Sequence, residues 1–186
     1  SPYLTDFYNS YDEDQRLASR HGSVEFFTTM RYIDKYRKPG HRVLEIGAGT
    51  GRYSHALARL GHGVDAVEWG GHHIQIFQAH TLPPEEITVL QGNALDLSPF
   101  PNNTYDLTLL LGPLYHLYTE ADKLQALQEA IRVTKPGGIL FAAYVISDGC
   151  LLDGGFRRGN IDVASYVKGG LVDPRTFAAT SQPKEL

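Results

Sequence analysis

Val43-Leu44-Glu45-Ile46-Gly47-Ala48-Gly49-Thr50-Gly51-Arg52-Tyr53 decides the reading of this chain. Arg42 to Ile46 is a short apolar run suited to a strand, and it feeds three glycines at alternate positions. From Arg52 to Leu60 the pattern turns helical, with Tyr53, Ala56, Leu57 and Leu60 on one face and Gly61 placed as the stop. A strand that ends in glycines and opens a helix presents backbone N–H groups that the helix leaves unpaired. Glycine suits such a turn because a β-carbon would block close approach and because positive φ is often needed. A dinucleotide fingerprint reads G-x-G-x-x-G. Here the spacing is G-x-G-x-G, with Arg52 where the third fingerprint glycine would stand, which weakens the case for a pyrophosphate. Glu68 follows Gly47 by 68 − 47 = 21 positions, at the end of the next strand. An acid at that distance can accept both ribose hydroxyls, so the turn and Glu68 together predict a bound nucleoside.

Outward from this turn the same alternation repeats. Upstream, Ser23 to Tyr36 reads as a helix capped by Ser23, with Val24, Phe27 and Met30 at helical spacing and Pro39-Gly40 as its end. Downstream, the strand Val64–Val67 is followed by a helix over His72–His80, closed by Pro83-Pro84. Ile87–Leu90 is a strand, Ser98–Thr104 is turn-rich, and Tyr105–Leu111 is a strongly apolar strand. Thr119 and Asp122 form a cap for a helix whose expected inner face is Leu124, Leu127 and Ile131. Pro136-Gly137-Gly138 breaks that helix and begins a strand over Ile139–Ile146. Five strands alternating with helices predict an α/β fold with a mostly parallel sheet, helices on both faces and right-handed crossovers.

The expected division is an N-terminal lid segment over 1–22, a nucleoside-binding core over 23–146, and a glycine-rich lid or substrate segment over 147–186. The first is dense in aromatics (Tyr3, Phe7, Tyr8, Tyr11), and the last carries Gly149, Gly154, Gly155, Gly159, Gly169 and Gly170. Thr180 to Leu186 holds a cap and an early-turn proline for a helix that never runs, which reads as an incomplete C-terminus.

With 186 residues, 42% hydrophobic and 20% charged, the chain can bury a real core and is not a disordered sequence. The formal charge of −4 and the lack of any Lys/Arg run argue against a backbone-tracking nucleic-acid binder, and no nucleic-acid partner is expected. One cysteine, Cys150, excludes a disulfide framework and suits a reducing compartment. No apolar stretch approaches the ~20 residues of a membrane span, and the first residues lack the pattern of a signal peptide. The expected setting is the cytoplasm, with no membrane partner.

Four motifs in order resemble the class I S-adenosylmethionine (SAM) dependent methyltransferases, in particular the small "type 11" or ubiquinone-biosynthesis-like group. Val43 to Tyr53 resembles that family's first motif, and Glu68 its ribose-binding acid. Gly92-Asn93-Ala94-Leu95-Asp96-Leu97 is similar to the third, where a side chain and the next backbone N–H meet the adenine edge. Leu109-Leu110-Leu111-Gly112-Pro113-Leu114-Tyr115-His116-Leu117 is similar to the fourth, at the mouth beside the reactive sulfonium, and Arg132 to Gly138 to the signature before strand five. The resemblance covers roughly residues 20–146. It implies a Rossmann-like sheet, SAM as cofactor with S-adenosylhomocysteine as product, and methyl transfer to a small-molecule acceptor. It places Glu45, Gly47, Ala48, Gly49, Gly51, Glu68, Trp69, Asn93, Ala94, Leu95, Leu111 and Gly112 at the cofactor, with Tyr11 or Tyr8 closing over the methionyl end and Arg16 or Arg20 meeting its carboxylate. Two departures stand out. The third motif usually carries Asp where this chain has Asn93, whose carbonyl is expected to accept from the adenine amine. Trp69-Gly70-Gly71-His72 replaces a polar turn, so Trp69 packs either near the adenine or into the core. The family's last two strands have no room before Leu186, and a sheet lacking them would bare an edge or an apolar patch.

His116 is the candidate general base, because it follows strand four at the rim where open sheets bind ligands. Tyr115 and Tyr118 flank it. His72, His73 and His80 do not form a metal set: His73 and His80 would lie about 10.5 Å apart along a helix, too far for one ion. A nicotinamide-dependent oxidoreductase shares the turn and the acid and is the alternative reading; a SAM-binding module without turnover is the other.

Overall fold

The computed structural model describes residues 20–146, 149 and 151–176. Five strands form one sheet: β1 (Arg42–Ile46), β2 (Gly63–Glu68), β3 (Ile87–Gln91), β4 (Tyr105–Leu110) and β5 (Thr134–Ala142). Their spatial order is β3-β2-β1-β4-β5, with every neighbouring pair parallel. Helix α1 (Arg20–Ile33) precedes the sheet. Between the strands run α2 (Arg52–Arg59), α3 (Gly71–His80) and α4 (Glu120–Val133). Beyond β5 come a π-helical turn over Leu151–Arg157 and a short α5 (Val163–Lys168).

The sheet is buried because its side chains alternate between two apolar layers. Leu44, Ile46, Val67 and Leu110 face α4, packing on Ala126, Ala130 and Val133. Val43, Val64, Leu107 and Leu109 face the other way, against Ile33 of α1 and Tyr53, Leu57 and Ala58 of α2. Arg132 ties α4 to the loop before β4 by donating to the carbonyls of Leu97 and Phe100 and to Oδ1 of Asn102, while paired with Glu129. A buried latch holds α2 to the approach of β3: Glu85 meets His55 Nδ1 at 2.8 Å and Arg59 Nε at 2.6 Å.

Several expectations are corrected at their edges. Ser23 does not cap a helix, because α1 already runs at Arg20. Thr119 does cap α4, accepting from Asp122 N at 3.1 Å, but the inner face is Ala126, Ala130 and Val133. Leu124 and Ile131 are 50% and 61% exposed, and of the expected trio only Leu127 packs on the core. Small residues let α4 approach the sheet closely, which a row of bulky side chains would prevent. The last strand starts earlier and ends sooner than Ile139–Ile146, because Thr134 already pairs with Tyr105 and Gly137 absorbs an irregularity at φ 80°. Past its end Tyr144, Val145 and Ile146 are all exposed, an apolar patch beside an outer strand.

Two features make the carboxyl ends of the strands the working rim. Ile46 stands level with Val67 on one side and Leu110 on the other, so β1, β2 and β4 end together. The chain goes from β1 outward to β2 and β3 and only then crosses to β4, so the switch in strand order falls between β1 and β4. Open α/β sheets bind ligands in the crevice at that point.

Candidate active site

The glycine turn is built as much by packing as by ligand access. Gly47, Gly49 and Gly51 all have positive φ (73°, 56° and 88°). A β-carbon on Gly47 would lie 2.7 Å from the ring of Pro113, and one on Gly51 would lie 2.4 Å from the ring of Phe77. The sequence suggests clearance for a ligand; the fold adds that neighbouring side chains already fill two of the three places. Gly112 also sits close, since a β-carbon there would come within 3.6 Å of the Gly47 carbonyl. The loop after β4 therefore packs close to the turn after β1.

Glu68 is the keystone. It ends β2, is 8% exposed, and turns its carboxylate back toward the glycine turn. Gly49 N donates to Oε2 at 2.7 Å and Gly70 N to Oε1 at 2.8 Å. His73 of α3, itself buried, stands with Nδ1 3.4 Å from Oε1. Burial raises the carboxyl pKa, but His73 and the N–H groups of Gly70 and Gly49 outweigh it and hold the pKa below the usual glutamate value. The group is thus a carboxylate at neutral pH. An ionised carboxyl has about four acceptor positions, so two amides leave room for a diol. The cradle is close-fitting: a β-carbon on Gly70 would sit 3.2 Å from Oε1 and 3.4 Å from the His73 ring.

Glu45 works differently. Buried in β1, it accepts from Ser54 N at 2.9 Å and from the Ser54 hydroxyl, which pins the start of α2 to the sheet. Its burial pushes the carboxyl from 4.5 up to about 8, with the Ser54 bonds opposing only in part. The sign of the linkage follows. Between pH 4.5 and about 8 the unfolded chain has lost this proton and the native chain keeps it, so stability falls as pH rises through that window and levels off above it. Relative to Glu45→Gln, the wild type should lose stability between about pH 5 and pH 8, read as urea midpoints. Parallel midpoints for the two proteins across that range would show that Glu45 is ionised in the native state.

The remaining expected site residues divide by what their side chains touch. Ala48 and Ala94 are buried in the core, so they offer the rim only backbone. Leu95 and Leu111 are half-buried against the two apolar layers. Trp69 is 55% exposed at the lip beyond Glu68, which removes the core-packing alternative. Asn93 lies half-buried just past β3, its Oδ1 accepting from Leu95 N at 3.0 Å. His116 follows a one-turn 3₁₀ helix over Pro113–Tyr115 at the end of β4, half-buried, its ring 6.3 Å from that of Tyr115. Tyr8, Tyr11 and Arg16 lie outside the described residues, as does the side chain of Arg20. Sequence reasoning missed Ser54, His73 and Phe77. A buried strand acid signals that some partner exists, but nothing in the sequence names which. Among the described residues no three His, Cys, Asp or Glu side chains gather as a metal site. No described helix is long and apolar enough to cross a membrane.

Comparison with known proteins meets the same features. A family model described as a methyltransferase domain matches residues 44–142. Demethylmenaquinone methyltransferase of Lysinibacillus sphaericus is 34% identical over 107 residues, covering 55% of this chain and 44% of that protein. A ubiquinone biosynthesis O-methyltransferase of Xanthomonas campestris pv. campestris is 30% identical over 104 residues, covering 55% and 42%. The chain spans about half the length of the curated relatives it matches. Among solved structures, a Pyrococcus horikoshii protein superposes with a TM-score of 0.68 at 23% identity, over 84% of this chain and 72% of that one. A SAM-dependent methyltransferase of Methanosarcina mazei gives 0.60 at 23% identity, over 80% and 74%. These two likenesses bear on the fold. With the family match over the stretch that forms β1 to β5, and with the turn, the acid and the β4 loop converging on one rim, this chain belongs to the methyltransferase domain family.

Proposed function

We propose that this chain transfers a methyl group from SAM to a small-molecule acceptor. The observation that carries the reading is the Glu68 carboxylate lying 2.7 Å from the Gly49 amide, which brings acid and glycine turn together at one rim and so supports a shared ligand. The residues present fit SAM: a carboxylate suited to a diol, a close-packed turn of three glycines of positive φ, and no third fingerprint glycine for a pyrophosphate. When bound, SAM supplies a methyl group already activated on a sulfonium. The chain's own work is then to bind, align and exclude water. Glu68 holds the ribose, the turn over Gly47–Gly51 positions the amino-acid tail, and the Gly112–His116 loop frames the acceptor side. Good alignment can contribute about 7–11 kcal/mol toward the barrier without any further catalytic group. The acceptor side is apolar and aromatic, with Tyr115 and Tyr118 exposed at the rim. Relatives named for quinone biosynthesis suit an aromatic acceptor of that kind.

Calorimetric titration with S-adenosylhomocysteine and with NAD tests the reading. Binding of the first and not the second is expected; NAD binding alone would replace methyl transfer with hydride chemistry. Within the same reading His116 is the base that takes a proton from the acceptor. His116→Ala should lower kcat about 100-fold and leave S-adenosylhomocysteine affinity within about 3-fold, as general-base catalysis predicts. Unchanged kcat from about pH 6 to 9 would remove His116 from the proton transfer.

A further inference from the structure

His73 is a buried imidazole in the first turn of α3, and its Nδ1 stands 3.4 Å from Glu68 Oε1. That is an ion-pair distance, longer than a full N–H···O bond of about 2.7–3.2 Å. The same oxygen accepts from Gly70 N at 2.8 Å, while Gly49 N goes to Oε2. A carboxylate oxygen has about two acceptor positions. Both positions on Oε1 are therefore addressed from within the protein, one by a firm amide bond and one by a looser imidazole contact. A ribose diol that bonds both carboxylate oxygens needs the position on Oε1 that His73 addresses.

We propose that His73 and a ribose hydroxyl compete for Glu68 Oε1, so that nucleoside binding displaces the imidazole from the carboxylate and releases its proton to water. The competition rests on the reading of Glu68 as the ribose acid. His73 is then a positioning residue that acts through Glu68: it holds the carboxylate against the glycine turn and yields its place to the hydroxyl. The proton leaves because a charged imidazole pushed off that oxygen would stay buried without its counter-charge, a costly arrangement. Affinity for the nucleoside therefore rises as His73 is neutralised.

The groups around the pair are few and identifiable. On β2 the other acid, Asp65, is taken by Arg42 and by the Tyr105 hydroxyl. On β1, Glu45 feels the charge of Glu68, and burial keeps it protonated up to about pH 8. On α3 itself, the His72 ring lies 6.4 Å from that of His73. On α2, His55 lies against Phe77 and His80 of α3 and is held by Glu85. Strand β3, on which α3 also packs, carries no charged residue from Ile87 to Gln91. Between about pH 5 and 7.5, where imidazoles change charge, His73 is thus the titrating group in contact with the acid.

Titration calorimetry with S-adenosylhomocysteine at about pH 5 and 7.5, in two buffers of different ionisation enthalpy, reads affinity and proton release together. Wild-type affinity should rise at least about 10-fold across that span, with up to one proton released per ligand at the lower pH. His73→Leu, which removes the competitor, should stay level within about 3-fold, release no proton, and bind more tightly than the wild type at the lower pH. A mere prop would behave otherwise, since its loss weakens binding at every pH. A wild-type affinity that is level or falls with pH, without proton release, would overturn the proposal and leave the nucleoside reading intact. Failure of S-adenosylhomocysteine to bind the wild type at either pH would overturn the nucleoside reading, and this proposal with it. The wild-type profile decides even if His73→Leu does not fold.

Discussion

Glu68→Ala should weaken S-adenosylhomocysteine binding by at least about 100-fold. A ribose diol on an ionised carboxylate forms charge-assisted hydrogen bonds worth about 1.5–3 kcal/mol each, so losing a pair costs about 3–6 kcal/mol of affinity. The carboxylate is kept ionised and in place by Gly49, Gly70 and His73, which is why its removal is felt fully and not merely as one surface charge. The same substitution strands the amides of Gly49 and Gly70, so some stability is lost as well. The two effects are separated by measuring urea midpoints beside calorimetric affinities, with ligand concentrations raised until binding is seen or excluded. A folded Glu68→Ala protein that still binds within about 5-fold of the wild type would mean that the ribose lies elsewhere.

The second large effect is structural. Gly51→Ala should destabilise the fold by roughly 2–5 kcal/mol, adding an L-residue penalty in the left-handed region of about 1–2 kcal/mol to overpacking of about 1–3 kcal/mol. Gly51 caps the start of α2 at φ 88°, and the added carbon would land 2.4 Å from Phe77. That ring cannot yield cheaply: it is fully buried, packed with Ala48 and Ala66, and tilted against the His55 ring at 4.8 Å. Denaturant midpoints check the loss. Adding Phe77→Leu to Gly51→Ala should recover part of it, since the clash disappears while the φ penalty stays. A Gly51→Ala protein as stable as the wild type would show that the turn has space the structure denies it.

Why these two positions were only half legible in the sequence is a matter of distance along the chain. The glycine spacing announces a ligand turn, but Phe77 under Gly51 and Pro113 under Gly47 arrive from 26 and 66 residues away, and no local pattern specifies that meeting. His73 behind Glu68 was visible only as a candidate metal histidine and rejected as such; its use as a support emerges when α3 packs back over the end of β2. Trp69 could be read as core or as lip with equal reason, and burial chose the lip.

Helix faces show the same boundary between local and tertiary information. Hydrophobic spacing in α4 selected Leu124, Leu127 and Ile131, each apolar and each at a permitted step. The sheet took Ala126, Ala130 and Val133 instead, because close approach of a helix to a flat layer rewards small volume over greasiness.

By itself the sequence determined the class of fold, the alternation of strand and helix, the place of the glycine turn and the acid 21 residues on, since each depends on periodicity and turn chemistry written within a few neighbouring residues. Only the tertiary structure decided the order β3-β2-β1-β4-β5, the return of the Glu68 carboxylate onto Gly49, and the use of Glu45 as an acceptor that anchors a helix. Those depend on which strands lie side by side, and adjacency in space is set by packing across the whole chain.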